Sequence, residues 1–164
     1  MSLTVDKLDN RLLRDVFGHF PSAVVAVCAM VDGERTGVAM STFVPVSLQP
    51  PIVAVCVSST SSTWPRLRTA PRLGISVLGE GHADTARALA AKTGDRFARL
   101  HTVDTPEGAV FIANTSVWLD TTLMGETSAG DHLMVTLAID AVTLRGEQDP
   151  LIFHRSAFTR LHRD

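Results

Sequence analysis

The chain consists largely of short runs of apolar and β-branched residues, and a turn signal closes each run. Residues 22–31 form the first of them, and the Asp32-Gly33 pair that follows is typical of a two-residue hairpin. The next strand is predicted over residues 36–44. Because strands joined by tight turns pair antiparallel, this pattern favours an antiparallel sheet.

Further strands are predicted along the rest of the chain, over residues 52–57, 73–78, 117–126, 132–144 and 151–154. Residues 97–115 show a weak pattern that indicates loop, apart from a short strand at 110–113. Helices are few: one over residues 7–20, one over residues 83–92 capped near Asp84, and a short one beginning near Pro65.

This order does not alternate strands with helices, so a doubly wound parallel sheet is not expected. The pattern predicts a mainly β protein with a few helices. Its expected architecture is a six-stranded antiparallel barrel, closed or partly open, in one domain over residues 1–164.

The composition excludes several classes of function. Of the 164 residues 45% are hydrophobic and the net charge is −2, which gives no reason to expect binding to nucleic acid or to an anionic membrane. No apolar run approaches the length of a membrane-spanning helix, and the charged N-terminus is unlike a signal peptide, so a cytoplasmic protein is expected. Cys28 and Cys56 lie in apolar runs without metal-ligand spacing, which predicts core packing and no metal site.

Six hydroxyl residues in succession follow the third strand and precede Trp64-Pro65: Ser58, Ser59, Thr60, Ser61, Ser62 and Thr63. Proline is well tolerated in the first helical turn, so a helix is expected to begin there. Hydroxyls and free backbone N–H groups then meet at a helix N-terminus, which favours an anion site. The alternative is a solvated loop whose serine or threonine caps the helix.

Four more segments are unusual for a barrel without a ligand. Residues 37–43 carry small and hydroxyl side chains where a strand normally carries bulky ones, and residues 46–51 end in two prolines. Residues 129–132 place a carboxylate and an imidazole in a turn, while residues 150–155 end a strand with a histidine and an arginine. No glycine-rich phosphate loop, zinc-ligand spacing or Gly-x-Ser-x-Gly motif accompanies them.

Taken in order, these motifs resemble the flavin reductase-like family. That family has the FMN-binding split-barrel fold and includes the reductase components of two-component flavin monooxygenases. The likeness runs from about residue 10 to about residue 160. It is carried by Phe20-Pro21-Ser22, Ser41-Thr42-Phe43, residues 46–51, the hydroxyl run, Lys92-x-x-Asp95-Arg96-Phe97, Gly130-Asp131-His132 and Pro150-Leu151 leading to His154-Arg155.

The resemblance implies an NAD(P)H:flavin oxidoreductase that transfers a hydride from NADH or NADPH to FMN or FAD. Such a protein supplies reduced flavin to a separate monooxygenase. The resemblance also implies a homodimer, with the flavin in a groove between the two subunits.

The chain also departs from the family pattern. The family often has glycine at the position of Ala23 and a His-Arg-Gly run where this chain has Ser156, and residues 102–114 match poorly. The altered last motif motivates a second hypothesis, a flavin-binding split-barrel protein that carries or stores flavin without efficient NAD(P)H oxidation.

Carried onto this sequence, the family pattern implies two groups of cofactor-binding residues. The flavin ring and ribityl chain would be lined by Val38, Ala39, Met40, Ser41, Thr42, Val46 and Ser47. The phosphate would be held by Cys56, Val57, Ser58, Ser61, Ser62 and Thr63, with a point charge from Lys92. The nicotinamide nucleotide would be held by His132, which is also the candidate catalytic residue, and by His154, Arg155 and Ser156. A structural role in a turn or at a strand end is the alternative for either histidine.

Overall fold

The computed structural model describes residues 8–162, which contain three α-helices and twelve strands. The helices are α1 (Asn10–Gly18), α2 (Trp64–Leu67) and α3 (Ala83–Ala90), and one 3-10 turn (Glu80–His82) leads into α3. The strands are β1 (Ser22–Ala23), β2 (Val25–Val31), β3 (Glu34–Met40), β4 (Phe43–Leu48), β5 (Pro51–Ser58), β6 (Leu73–Val77), β7 (Thr102–Asp104), β8 (Val110–Ile112), β9 (Val117–Ala129), β10 (His132–Leu144), β11 (Ile152–His154) and β12 (Ala157–Thr159). None of the helices within residues 8–162 is long and apolar enough to cross a membrane.

The largest sheet has seven antiparallel strands in the order β3-β2-β6-β9-β10-β5-β4. Side chains from most of these strands meet in one core, where Val27, Val55 and Leu137 are fully buried. Trp64 and Leu67 of α2 belong to the same core. The edge strands β3 and β4 do not pair with each other, so the barrel is open along one side.

A second core lies on the other face of β2. Ala26 and Cys28 pack there with Leu89 of α3, Val110 of β8 and Leu151. This packing holds α3 against β3 and so brings the end of α3 to the open side of the barrel.

The prediction of a mainly β antiparallel barrel is confirmed, and of the two alternatives, closed or partly open, the structure has the open one, as the family resemblance implied. The strand predicted over residues 36–44 is wrong. It breaks at Ser41-Thr42 into β3 and β4, so the sheet has seven strands rather than six. Thr42 Oγ1 accepts a hydrogen bond from the Cys56 N–H at 3.0 Å and donates one to the Cys56 carbonyl at 2.9 Å. The side chain of Thr42 thus satisfies the backbone of β5 where no neighbouring strand does.

Strands β7 and β12 lie where the sequence predicted no strand. The chain turns from β11 to β12 at Arg155 and Ser156, whose φ angles are 49° and 62°. Left-handed turns of this kind normally carry glycine, asparagine or aspartate, so the pair gives no turn signal. Asp32 and Gly33, with φ angles of 52° and 77°, form the predicted hairpin between β2 and β3.

The described part of the first helix begins at Asn10, where the Asp9 side chain caps it by accepting the Leu12 N–H at 2.8 Å. Its predicted start at Lys7 lies outside the described residues. The helix predicted over residues 83–92 ends earlier, at Ala90, because Ala91 is extended. The cap predicted near Asp84 is also wrong, since His82 holds the N-cap position and Asp84 lies in the first turn.

Gly74 on β6 lies directly against the backbone of β8. A Cβ atom there would stand 2.4 Å from the carbonyl oxygen of Val110 on β8. We expect Gly74→Ala to lower the free energy of unfolding by about 1–3 kcal/mol, because backbone cannot move aside as a side chain can. Urea denaturation measures the change. Gly81→Ala, whose Cβ would meet no atom within 4 Å, is the matched control. Equal midpoints for the two variants would contradict the prediction.

Candidate functional site

A cleft of about 410 Å³ lies on the open side of the barrel. We call it the hydroxyl cleft. The end of β3, the break before β4, the end of β5, the hydroxyl run, the end of α3 and the first residue of β10 surround it. Its lining residues are Val38, Ala39, Met40, Ser41, Thr42, Cys56, Val57, Ser58, Thr60, Ser61, Ser62, Thr63, Leu89, Ala90, Arg96 and His132.

The hydroxyl run has an ordered arrangement. Ser61 Oγ accepts the N–H groups of Thr63 at 3.3 Å and Trp64 at 3.2 Å, and so satisfies backbone donors at the entry to α2, whereas the N-cap residue Thr63 makes no side-chain capping bond. The hydroxyls of Ser58 and Thr60 are 2.9 Å apart. Ser61 therefore lines the cleft and also bonds the first N–H of α2. Because α2 has only four residues, its helix dipole contributes little to anion binding.

Buried anchors fix the end of the hydroxyl run. Trp64 is 2% exposed, and its indole N–H donates to the Glu126 carboxylate at 2.5 Å. Arg68 contacts the other oxygen of that carboxylate at 2.7 Å. Because α2 is tied to β9 in this way, the loop before it has a defined position.

The positive charge in the hydroxyl cleft comes from Arg96. Its guanidinium donates to the carbonyls of Ala91 at 2.7 Å and Gly37 at 2.9 Å, and to Thr63 Oγ1 at 2.8 Å. Arg96 thus joins β3, the end of α3 and the hydroxyl run. A guanidinium in this position favours a bound anion.

The other end of the hydroxyl run is joined to the turn between β9 and β10. Ser59 donates to the Asp131 carbonyl through both its N–H and its Oγ, each at 2.9 Å. The next residue, His132, lines the cleft, and its Nδ1 lies 2.7 Å from Asp131 Oδ1. This hydrogen bond from His132, together with the charge of the imidazole, lowers the pKa of the Asp131 carboxyl. In the tautomer that carries its proton on Nδ1, the His132 ring donates to this carboxylate and presents Nε2 as an acceptor.

A second cleft, of about 430 Å³, adjoins the hydroxyl cleft at Ser41 and Thr42. We call it the phenylalanine cleft, since Phe17, Phe20 and Phe153 line it together with Arg14, Gly18, Pro21, Ser22, Arg155 and Ser156. Arg155 is held at the end of α1: its backbone N–H donates to the Gly18 carbonyl at 2.9 Å, and its guanidinium lies 3.1 Å from Nδ1 of His19, the residue after the helix.

Most of the predicted binding residues lie together. The hydroxyl cleft contains all of the predicted flavin residues except Val46, Ser47 and Lys92, and it contains His132. Arg155 and Ser156 line the adjoining phenylalanine cleft, whereas His154 lines neither. The binding roles of these residues stay predictions.

Three of the outlying residues have clear positions. Val46 and Ser47 belong to the edge strand β4, and Ser47 Oγ accepts the Gln49 N–H at 3.2 Å. Lys92 is exposed beyond the end of α3. The extended Ala91 redirects the chain there, so Arg96 reaches the cleft instead.

Sequence reasoning missed Arg96, Thr60, Leu89 and Ala90 as cleft residues. Arg96 belongs to the recognised Lys92-x-x-Asp95-Arg96-Phe97 motif, and its signal was therefore present. Leu89 and Ala90 reach the cleft only through the packing of α3 on β3, which no local pattern reveals. No group of three or more metal-ligating side chains is found among residues 8–162.

The family model "Flavin reductase like domain" matches residues 17–162, so the chain belongs to the flavin reductase-like family. It is 31% identical to a flavin reductase of Pseudomonas putida over 92% of this chain and 89% of the relative. It is 26% identical to the reductase subunit of a flavin-dependent monooxygenase of Rhodococcus jostii, over 99% of this chain and 84% of the relative.

A solved structure resembles the chain over its whole length. An NADH:FAD oxidoreductase of Streptomyces globisporus, in complex with NAD and FAD fragments, superposes with a TM-score of 0.90 at 30% identity and covers 99% of each chain. The fold prediction is thereby confirmed at the level of the family.

The hydroxyl cleft suits a flavin on the evidence of its own residues. The wall formed by Val38, Ala39 and Ser41 has small side chains, so a flat ring can approach the backbone of β3. Hydroxyls and the Arg96 guanidinium lie at the other end, where they can donate to a phosphate.

Cys56 lines the hydroxyl cleft and is partly exposed, whereas burial raises the pKa of the Cys28 thiol to about 12. The thiolate is the form that attacks iodoacetamide and displaces iodide, so Cys28 should be inert at pH 8. We expect one modified thiol per native chain, at Cys56, and a several-fold slower reaction when excess FMN or FAD is present. Peptide mass mapping identifies the site, and Cys56→Ser is the control. Rapid labelling of Cys28, or labelling of Cys56 that flavin does not slow, would contradict this prediction.

Proposed function

We propose that this chain is an NAD(P)H:flavin oxidoreductase that reduces FMN or FAD and supplies reduced flavin to a separate monooxygenase. The observation that carries the proposal is the hydroxyl cleft, which joins a wall of small residues to a hydroxyl run with a guanidinium. The family membership and the names of the relatives support the same reaction.

In this proposal the hydroxyl cleft holds the flavin. The ring lies along Val38, Ala39 and Met40, and Ser41 and Thr42 stand at its edge. The phosphate lies at the hydroxyl run, where Ser61, Ser62 and Thr63 donate to it and Arg96 provides the charge. Arg96 thus takes the role predicted for Lys92, since it lies in the cleft and Lys92 does not.

The nicotinamide nucleotide enters from the side of His132 and the phenylalanine cleft. Nε2 of His132 accepts a hydrogen bond from a carboxamide or a ribose hydroxyl, while Asp131 keeps the ring in that tautomer. Arg155 meets a phosphate of the nucleotide, and the aromatic residues beside it exclude water. His154 stays a candidate at the edge of this region.

The bound flavin supplies the hydride-accepting chemistry, and the protein supplies position. Transfer between two flat rings needs them stacked in van der Waals contact and needs little acid or base catalysis. His132 therefore acts by binding and orienting the nucleotide. The walls of the hydroxyl cleft cover one face of the flavin ring and leave the other face accessible to the nicotinamide.

A flavin carrier without efficient NAD(P)H oxidation is the second candidate function. The observation that favours it is the turn after β11, where Arg155 and Ser156 both have positive φ in place of the family's glycine. A strained turn that displaced Arg155 would weaken the nucleotide site and leave the flavin site intact.

We also propose a cytoplasmic homodimer built from single-domain chains. The edge strand β4 carries a row of exposed apolar side chains: Val44, Val46 and Leu48 are 51%, 53% and 97% exposed. An exposed apolar edge is normally covered in a stable protein, and a second copy of the chain is the partner that the family resemblance implies. The same contact would account for the predicted roles of Val46 and Ser47, which lie outside the cleft of one chain.

The dimer is tested by sedimentation of the double variant Val46→Glu/Leu48→Glu. We expect the wild type to sediment as a dimer and the variant as a folded monomer, because two carboxylates would be buried at the interface. Circular dichroism checks that the variant is folded. Thr143→Glu, on the exposed end of β10, is the control substitution. A monomeric wild type, or a variant that stays dimeric, would refute the proposed interface.

The reaction is tested by following NADH and NADPH absorbance with purified protein and FMN or FAD. We expect turnover far above the rate without protein. His132→Ala should raise the KM for the nicotinamide nucleotide about tenfold and the KM for flavin less than twofold. His101→Ala, an exposed histidine outside both clefts, should behave as the wild type.

Two results would count against these roles. Flavin binding without turnover would favour the carrier over the reductase. An unchanged KM and kcat in His132→Ala would remove His132 from the nucleotide site.

A further inference from the structure

The hydroxyl cleft continues into a further cleft of about 220 Å³, which we call the arginine cleft. The two share Ser62, Thr63 and Arg96, so a ligand phosphate at the hydroxyl run lies at their junction. The arginine cleft is mainly polar and is lined by Arg35, Thr36, Gly37, Ser62, Thr63, Arg66, Gly94, Asp95, Arg96 and Phe97.

The arginines of this cleft can accept an anionic ligand. Arg66 pairs with Glu34 at 3.1 Å, but their side chains are 47% and 74% exposed. An exposed pair of this kind contributes little stability, so Arg66 can turn toward a phosphate at low cost. Arg35 is held differently, since it makes bonds of 3.0 and 2.7 Å to one oxygen of Asp104. Arg66 is thus the adaptable cation and Arg35 the fixed one.

Thr36 gives an independent indication of a ligand. It is 6% exposed and lines the arginine cleft, and its Oγ1 has no hydrogen-bond partner among the described residues. A buried hydroxyl without a partner costs free energy. Because Oγ1 itself is closed to solvent, an oxygen-rich ligand in the cleft would relieve that cost only after the Thr36 side chain rotates.

The arginine cleft opens in turn into a groove of about 500 Å³ along the outside of β2 and β3. They share Arg35, Asp95 and Phe97, and Met30 adds a second apolar surface. Asp95 uses Oδ1 to accept the Phe97 N–H at 2.8 Å, which leaves its other oxygen for a sugar hydroxyl. The half-buried Phe97 ring offers a face on which a base can stack.

From this order of surfaces we infer that the flavin is FAD rather than FMN. The first phosphate lies at the hydroxyl run, the second in the arginine cleft beside Arg66, and the adenosine along β3 with its ribose at Asp95 and its base at Phe97. The inference rests on the proposed flavin reductase function and specifies its substrate.

The test compares the binding of FAD and FMN by quenching of flavin fluorescence. We expect the wild type to bind FAD at least tenfold more tightly than FMN, and AMP to compete with FAD but not with FMN. Arg66→Ala should weaken FAD binding about five- to tenfold and change FMN binding less than twofold, while Arg66→Lys should restore part of the loss. Arg99→Ala, an exposed arginine that lines none of these clefts, is the matched control.

Three other outcomes would refute the inference, and each points to a different alternative. Equal affinities for FAD and FMN, or an Arg66→Ala variant that weakens both alike, would exclude an adenosine site here. If Arg66→Ala raised only the KM for NADPH, the arginine cleft would serve the 2′-phosphate of that nucleotide instead. Binding of neither flavin would refute the proposed function itself.

Discussion

The two hydrogen bonds between Thr42 and the backbone of Cys56 are the constraint on which the open side of the barrel depends. At Thr42 the chain passes from β3 to β4, and the Thr42 side chain bonds the backbone of β5 where the strand is interrupted. Strands β3 and β4 are the two edges of the sheet and do not pair with each other, so the barrel is open between them. The cleft exists at that place, and Thr42 lines it.

Three further links position the walls of the cleft relative to one another. Arg96 ties the hydroxyl run to β3 and to the end of α3, and Ser59 ties it to the turn that carries His132. Glu126 holds the indole that follows the run. Together these links hold both ends of a loop of six small polar residues. Such preorganisation reduces the entropy lost when a ligand binds.

Much of the fold was predictable because most strands coincide with apolar runs that are bounded by turn residues. The failures have specific physical causes. The break at Thr42 depends on a contact with a residue fourteen positions away, which strand propensity does not report. The turn at Arg155 and Ser156 uses left-handed backbone without glycine, so β12 was missed.

Much of the cleft lining was predictable because its residues are clustered in a few sequence motifs. The structure places Arg96 in the cleft where the sequence suggested Lys92, since the extended backbone at Ala91 cannot be seen in the sequence. Val46 and Ser47 belong to a motif that matches the family, but they do not line the cleft of one chain.

The links made by Ser59 and Arg96 also bear on how the chain folds. They join residues 72 and 33 positions apart, and β10 must pair with β5 before Ser59 can reach Asp131. Contacts this distant along the chain form late and slow the search for the native state. A binding-competent cleft therefore reports that nearly the whole sheet has assembled, and no short fragment of the chain can contain it. Any ligand that occupies it will stabilise the entire fold against unfolding and not merely the loops that it touches.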